Sequence, residues 1–251
     1  MKITFIGSGN TATVLARLCK QKGHKIQQII ARNKQNGELL ANELGCSYIS
    51  FNDKPNTDTE IVIVAIADTS MPEALSGFNF NTTPVVHTAG ACNISIVQTA
   101  STNIGVLYPL QSLRKEMNTI PEIPFLIEAN NDKTLQLIKD LASTLSNKVV
   151  EQNADERLRL HAAAVIVNNF TNYLYKVAEK FCTDEKVDFN LLKPIIKETA
   201  DRVENNLPST VQTGPALRGD ITTLDKHLRL LNDYPKLRTL YMRMTDGIIN
   251  G

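Results

Sequence analysis

The feature that most constrains this chain is a glycine-rich turn close to its N-terminus. An apolar run over residues 3–6 stops at Gly7, and an amphipathic helical pattern begins after Gly9. Strand, tight turn and helix in this order are typical of a unit that binds a dinucleotide. Gly7 permits the turn, Gly9 lets the backbone approach a pyrophosphate, and the small Ala12 lets helix and strand pack closely. Free N–H groups and the helix dipole then attract the phosphates, although a turn with no ligand would have the same pattern.

The end of the second predicted strand indicates which dinucleotide is bound. This strand covers about residues 25–31 and closes on Arg32. An NAD site usually has an Asp or Glu here, whereas no acidic residue occurs between Gly9 and Glu38. The guanidinium of Arg32 suits the 2′-phosphate of NADP, and a solvated surface arginine is the alternative. We therefore predict NADP(H) as the cofactor and no metal. The residues predicted to bind the cofactor are Gly7, Ser8, Gly9, Asn10, Thr11, Arg32, Asn33, Ala67 and Asp68.

The order of the predicted elements defines the fold class. Strands are predicted at about 2–6, 26–31, 46–49, 61–66, 84–87, 105–108, 124–128 and 148–151. Helices are predicted at about 10–22, 35–43, 131–146, 154–182, 188–205, 222–231 and 234–249. Alternating strands and helices predict an α/β fold, a Rossmann-type, doubly wound and mostly parallel sheet, followed by an all-α C-terminal domain. We place the boundary at residue 152, giving an NADP-binding domain (1–152) and a helical substrate and dimerisation domain (153–251).

Composition excludes several other classes of protein. The formal net charge is +1, so no general attraction to nucleic acid or to a membrane surface is expected. There is no apolar run of 18 residues and no signal-peptide pattern. The four cysteines are scattered without a C-x-x-C pair, which favours reduced thiols and a cytoplasmic location. Among them, Cys92 is predicted to have no catalytic role.

A local pattern follows the fourth predicted strand. Ser70 and Glu73 have the spacing of a capping box, which predicts that a helix begins there.

Three clusters contain most of the remaining candidate chemistry. His87 ends a strand and is either a proton donor near the nicotinamide or a structural histidine. His161 and Asn168 are seven residues apart, so on an α-helix they differ in direction by about 20° and share one stripe, which suits the floor of a cleft between the domains or a helix–helix contact. Arg218 could bind a substrate carboxylate or phosphate, or could pair with Asp220 to fix its loop.

Five short motifs, taken in order, resemble a known family over nearly the whole chain. They are Gly7-Ser8-Gly9-Asn10, His87-Thr88-Ala89-Gly90, Tyr108-Pro109-Leu110-Gln111, His161-Ala162-Ala163 with Asn168-Asn169, and Thr213-Gly214-Pro215 with Arg218-Gly219-Asp220. The chain resembles bacterial Rossmann-like proteins with a C-terminal helical domain of unknown function, provisionally described as NADP oxidoreductases. Its wider kin are pyrroline-5-carboxylate reductase, deazaflavin-dependent NADP oxidoreductases and the β-hydroxyacid dehydrogenases.

This resemblance implies a homodimer formed through the helical domains, with a site between nucleotide domain and helices. One departure limits what can be carried over. The β-hydroxyacid dehydrogenases have a Lys and an Asn one helical turn apart on the corresponding helix, whereas His161 and Asn168 are the nearest analogue here. The substrate class of the β-hydroxyacid dehydrogenases therefore cannot be assigned to this chain.

These observations favour an NADP(H)-dependent oxidoreductase that transfers hydride to or from a small polar substrate of the keto or imino acid type. His87 or His161 would move the accompanying proton, while Asn168 and Arg218 would orient the substrate. Two alternatives stay open. One is a non-catalytic NADP(H)-binding sensor or assembly protein, and the other is an oxidoreductase that exchanges hydride between NADP and a flavin or deazaflavin.

Overall fold

A computed structural model of the chain describes residues 1–251 and contains one eight-stranded sheet. The strands are β1 (Lys2–Ile6), β2 (Lys25–Ile30), β3 (Ser47–Ile49), β4 (Ile61–Val64), β5 (Val85–His87), β6 (Ile104–Pro109), β7 (Phe125–Ala129) and β8 (Val149–Glu151). Their order across the sheet is β3-β2-β1-β4-β5-β6-β7-β8. The first six strands are parallel and have the order of a doubly wound dinucleotide-binding sheet, while β7 is antiparallel to β6.

The helices cover the sheet and then make up the rest of the chain. They are α1 (Asn10–Gln21), α2 (Lys34–Leu44), α3 (Met71–Leu75), α4 (Asp132–Leu145), α5 (Ala154–Ala164), α6 (Thr171–Asp184), α7 (Lys193–Asn205), α8 (Ile221–Leu230) and α9 (Pro235–Asn250). Apolar side chains form two large core clusters, one that includes residues of α1, α2 and α4 and one that includes residues of α3. A third, small cluster contains Val106, Tyr108 and Leu126. The predicted fold class is confirmed. No helix combines the length and the apolar character needed to cross a membrane.

The chain divides into two compact units, Met1–Asn169 and Phe170–Gly251. The first unit extends past residue 152, where the strands end, because helix α5 is hydrogen-bonded to the sheet through Arg157. The second unit is entirely helical. A domain boundary at residue 152 therefore stays a prediction based on where strand patterns stop.

Two local predictions differ from the structure. Ser70 precedes α3 but its side chain makes no capping hydrogen bond, so the predicted capping box with Glu73 is wrong. The helix predicted over 154–182 is interrupted by a π-helical segment, Val165–Phe170. Since a π turn contains more residues than an α turn, Asn168 is rotated away from His161, and the stripe predicted from α-helical spacing is not kept.

The turn after β1 depends on the absence of a side chain at Gly7. This residue has φ +128°, a conformation that residues with a side chain rarely adopt, and a Cβ there would overlap the carbonyl of Ala65. Its N–H donates to the carbonyl of Ile30 at 2.8 Å, which holds the turn between β2 and β4. Gly9, in contrast, has φ −82° and open space where a Cβ would lie. The first glycine is required by the fold, whereas the second leaves room beside the helix start.

Substituting each glycine by Ala separates these two roles. We expect Gly7→Ala to lower the free energy of unfolding by roughly 2–4 kcal/mol, because it combines backbone strain with a clash against a buried carbonyl. Gly9→Ala is the matched control and should lower that free energy by no more than about 1 kcal/mol, because Ala is a poorer N-cap residue than Gly but meets no clash there. Urea unfolding of the two variants measures both quantities. Equal losses would contradict the assignment of the steric requirement to Gly7.

Candidate active site

A cavity of about 500 Å³ lies at the carboxyl ends of β1, β2 and β4. All nine residues predicted to bind the cofactor line it, together with Phe51, Ile66 and Thr88 among others. Ligands of open α/β sheets bind at this edge, where the strand order reverses. The start of helix α1 faces the cavity, so its free N–H groups are available to phosphate oxygens. The cavity thus has the position and the donors that a dinucleotide requires.

Arg32 is the charged residue at the β2 end of this cavity. It is exposed, and its guanidinium carbon lies 5.9 Å from the ring centre of Phe51. No ion pair links Arg32 to an acidic residue in the chain, so its charge is available to a ligand. A free arginine at the end of β2, with no acidic residue beside it, fits a 2′-phosphate and lacks the carboxylate that would bind a 2′-hydroxyl.

The side-chain oxygens of two predicted cofactor residues are already engaged within the chain. Asn10 accepts a hydrogen bond from the backbone N–H of Lys115 at 3.2 Å, which ties the loop after β6 to the start of α1 at this point. Asn33 is the N-cap of α2 and accepts from the N–H of Asn36 at 2.9 Å. Each side chain keeps its amide N–H₂ group, so these asparagines can still serve as donors to a ligand.

His87 is fully buried at the end of β5, and the structure favours the structural role that the sequence left open. Its Nδ1 accepts the N–H of Ala89 at 3.2 Å, and its Nε2 is buried without a partner. Burial, aided by the charge of Arg157, lowers the pKa of His87 to about 4. The ring therefore stays neutral at pH 7 and is enclosed by protein, which makes it a poor candidate for a proton donor.

A completely buried arginine joins helix α5 to the sheet. The guanidinium of Arg157 forms an ion pair with Glu128 on β7 and donates to the carbonyls of Gln152 and Cys92 at 3.1 and 2.7 Å. The Cys92 carbonyl belongs to the loop that follows β5. Arg157 thus fixes this loop against α5, one helical turn before His161.

His161 and Tyr108 form a hydrogen-bonded pair at this same edge of the sheet. The hydroxyl of Tyr108 lies 2.9 Å from Nδ1 of His161, and the two rings meet edge to face with their centres 5.9 Å apart. Gly90, in the loop after β5, is packed against both: a Cβ there would lie 2.8 Å from Tyr108 Cζ and 2.9 Å from His161 Nδ1. Nε2 of His161 makes no hydrogen bond within the chain. Of the two candidate histidines, His161 is the one with an available nitrogen.

Asp68 links this pair to the cofactor cavity. It lines the cavity at the end of β4, and its charge adds to burial in raising the pKa of Tyr108. Burial, the charge of Asp68 and a hydrogen bond with Asp68 together raise the pKa of Cys92 to about 11. Cys92 is therefore protonated at neutral pH and has no nucleophilic thiolate, in agreement with the prediction that it has no catalytic role. Tyr108 and His161 do not line the cavity themselves; they are connected to it by Asp68 and by the loop after β5, in which Thr88 lines the cavity and Gly90 packs against both rings.

The other two predicted catalytic residues, Asn168 and Arg218, are not among the residues that line the cavity. Asn168 is exposed within the π-helical segment. Arg218 is exposed in the second unit, where Asp220 caps α8 through Thr223 and forms no ion pair with Arg218. Roles for Asn168 and Arg218 in substrate binding stay predictions. No group of three or more His, Cys, Asp or Glu side chains in residues 1–251 could hold a metal ion.

Comparison with known proteins places this architecture in a family. Residues 2–90 match the family described as NADP oxidoreductase, coenzyme F420-dependent, and residues 123–248 match a domain of unknown function, DUF2520. A crystal structure from Bacteroides fragilis, provisionally named an NADP oxidoreductase, is 34% identical over 100% of this chain and 98% of its own, with a TM-score of 0.91. A search of curated proteins gave no match.

Two more distant structures share the fold. The 1-pyrroline-5-carboxylate reductase from Streptococcus pyogenes has a TM-score of 0.65 at 15% identity, over 100% of this chain and 99% of its own. The imine reductase from Myxococcus stipitatus, solved with NADP⁺, has a TM-score of 0.59 at 15% identity, over 99% of this chain and 92% of its own.

The sheet order, the cavity and the matched domain define the class of an NADP-dependent oxidoreductase. The chain belongs to the DUF2520 family, and in this chain the DUF2520 domain follows a domain that matches the NADP oxidoreductase family. The resemblance inferred from the five sequence motifs and the predicted NADP cofactor are thereby confirmed.

Sequence reasoning missed two residues that shape the site. Phe51 lines the cavity, and Arg157 anchors the β5 loop. Phe51 follows a short strand and is distant in sequence from Arg32, so no local pattern connects them. Arg157 stands four residues before His161, a spacing that puts both side chains on one helix face. This spacing is the sequence signal from which a role for Arg157 near His161 could have been predicted.

Replacing Arg32 tests whether its guanidinium binds the 2′-phosphate of NADP(H). We expect Arg32→Ala to weaken NADPH binding by about 10- to 100-fold, because a charge-assisted contact contributes roughly 1.5–3 kcal/mol. NADH affinity should change less than about threefold, since NADH has no 2′-phosphate. Calorimetric titration of the variant and of Arg229→Ala, an exposed arginine of α8 paired with Asp225, gives the comparison. Equal losses for both cofactors would contradict the role.

Proposed function

We propose that the protein is a reductase or dehydrogenase that transfers hydride between NADP(H) and a small polar carbonyl or imino compound of the keto or imino acid type. The observation that supports this most directly is the hydrogen-bonded pair of Tyr108 and His161, which is connected to the cofactor cavity through Asp68 and the loop after β5. A protein that only binds NADP(H) has no need of a proton-exchanging group near its cofactor. The bound cofactor supplies the hydride, and the chain supplies position and a proton.

The roles of the chain's own residues follow from their places around the cavity. Gly9 and the start of α1 would hold the pyrophosphate, and Arg32 would hold the 2′-phosphate. In the reducing direction the substrate carbon gains hydride and its oxygen or nitrogen gains a proton, which His161 would provide. We retain Asn168 and Arg218 as candidates to orient the substrate, since both are exposed polar side chains.

We also propose that the protein is a homodimer formed through its helical unit. Residues 170–251 expose many large apolar side chains, among them Leu191 (73% exposed), Leu207 (71%) and Ile221 (68%). Only a few apolar side chains of this unit are buried, such as Cys182, Leu224 and Leu231. An apolar surface this extensive is rare on a monomer, and a second copy of the same unit would cover it. All four cysteines are free, which fits the proposed cytoplasmic location.

A flavin or deazaflavin as hydride partner is the second candidate. The description of the family that matches residues 2–90, which includes coenzyme F420, supports it. The substrate of such an enzyme would be a large planar ring system, whereas a keto or imino acid is compact. The two candidates therefore differ in which compound oxidises NADPH in the presence of the protein.

Turnover measurements with a matched pair of histidine variants test the proposal. NADPH oxidation is followed with keto acids, cyclic imino acids and a reducible deazaflavin offered separately. With the active compound, we expect His161→Gln to lower kcat by about 10²- to 10⁴-fold, the usual contribution of a proton donor, without changing NADPH affinity.

The control is His227→Gln. His227 also has a tyrosine partner on Nδ1, but it lies on α8 in the second unit. This variant should keep wild-type turnover. Oxidation with the deazaflavin alone would select the second candidate, and NADPH binding without turnover of any compound would favour the sensor hypothesis. Equal effects of the two variants would contradict the role of His161.

A further inference from the structure

We propose that Tyr108 is a positioning residue that holds His161 in the tautomer with its proton on Nε2, so that Nε2 is the atom that serves the substrate. This inference rests on the proposed function for its catalytic consequence. Its structural content, which ring nitrogen bears the proton, can be tested without a substrate.

The burial of the Tyr108 hydroxyl determines which group donates in its hydrogen bond with His161. Tyr108 is only 9% exposed, and Nδ1 of His161, at 2.9 Å, is the only partner of its hydroxyl in the chain. A buried hydroxyl that lacks an acceptor is costly, so the O–H must point at that nitrogen. Burial and the charge of Asp68 raise the pKa of Tyr108, so the hydroxyl keeps its proton at neutral pH and can donate it. If Nδ1 is the acceptor, the proton of the neutral ring is on Nε2.

Three packed elements prevent the pair from rearranging. Tyr108 is near the end of β6 and its ring is in the core, while His161 is on α5. The ion pair and carbonyl contacts of Arg157 fix α5 one turn before His161. Gly90 brings the backbone of the β5 loop against both rings, and a side chain there would displace one of them. The imidazole consequently has one orientation, with Nδ1 on Tyr108 and Nε2 without a partner in the chain.

This arrangement also explains how a neutral imidazole can give up a proton. As the Nε2–H bond breaks, that proton bonds to the substrate oxygen or nitrogen, and the hydroxyl proton of Tyr108 moves to Nδ1. The ring keeps one proton throughout. Nε2 then takes a proton from water while the Nδ1 proton returns to Tyr108, which restores the hydroxyl and the starting tautomer. Hydride transfer to the substrate carbon oxidises the cofactor and reduces the substrate, so both electrons and both hydrogens are accounted for.

Nitrogen-15 NMR of the intact protein tests the tautomer directly. The chain has four histidines, so the ring signals of His161 are identified by their loss in His161→Gln. At pH 8, two-bond proton–nitrogen correlations should show Nε2 protonated and Nδ1 unprotonated in the wild type. In Tyr108→Phe the two tautomers should be mixed. A proton on Nδ1 in the wild type, or an unchanged tautomer in Tyr108→Phe, would overturn the proposal.

Tyr241→Phe is the matched control, because Tyr241 is hydrogen-bonded to Nδ1 of His227 at 2.8 Å with the same edge-to-face geometry. It should alter the His227 signals and leave those of His161 unchanged. Once a substrate is known, Tyr108→Phe should lower kcat about 10- to 100-fold with unchanged NADPH affinity, and Tyr241→Phe should not. If no compound oxidises NADPH, the proposed reaction fails while the NMR result still decides the role of Tyr108. If turnover occurs and Tyr108→Phe keeps full kcat, the catalytic consequence is refuted.

Discussion

The buried guanidinium of Arg157 is the interaction on which the geometry of the site depends. It connects helix α5, strand β7 through Glu128, and the loop after β5 through the carbonyl of Cys92. Removing a charge from water is costly, and here an ion pair and two carbonyls offset that cost. Loss of one partner would leave a buried charge unpaired, which typically costs about 3–5 kcal/mol. The constraint therefore fixes α5 at one place along the sheet, and the position of His161 follows from it.

The glycine turn after β1 and the Arg157 contacts act at the same edge of the sheet. The turn, which requires Gly7, borders the cavity, and in the proposed binding mode Arg32 would set the direction in which the dinucleotide lies. Asp68 also lines this cavity, and its charge acts on Tyr108, which is hydrogen-bonded to His161. Cofactor binding and the proposed proton exchange would thus depend on separate parts of the fold, joined by the parallel order of β1, β4, β5 and β6. This separation lets each be altered without the other.

Much of the fold could be predicted because it depends on local patterns. All eight strands and the cofactor-binding turn follow from short apolar runs, glycines and an arginine at a strand end. The site was less predictable, because its contacts join distant residues: Tyr108 and His161 are 53 positions apart, and Arg157 and Cys92 are 65. Nothing in the sequence near His87 indicates that its ring is completely buried. The π-helical segment that rotates Asn168 away from His161 likewise depends on packing that periodicity does not reveal.

The central claim is that the cavity at the carboxyl edge of the sheet binds NADP(H) in preference to NAD(H). Calorimetric titration of the purified wild-type protein with NADPH and with NADH tests it most directly. We predict one site per chain and at least tenfold tighter binding of NADPH, because the 2′-phosphate meets an unpaired arginine and no carboxylate. Equal affinity for both, or no binding of either, would contradict the account.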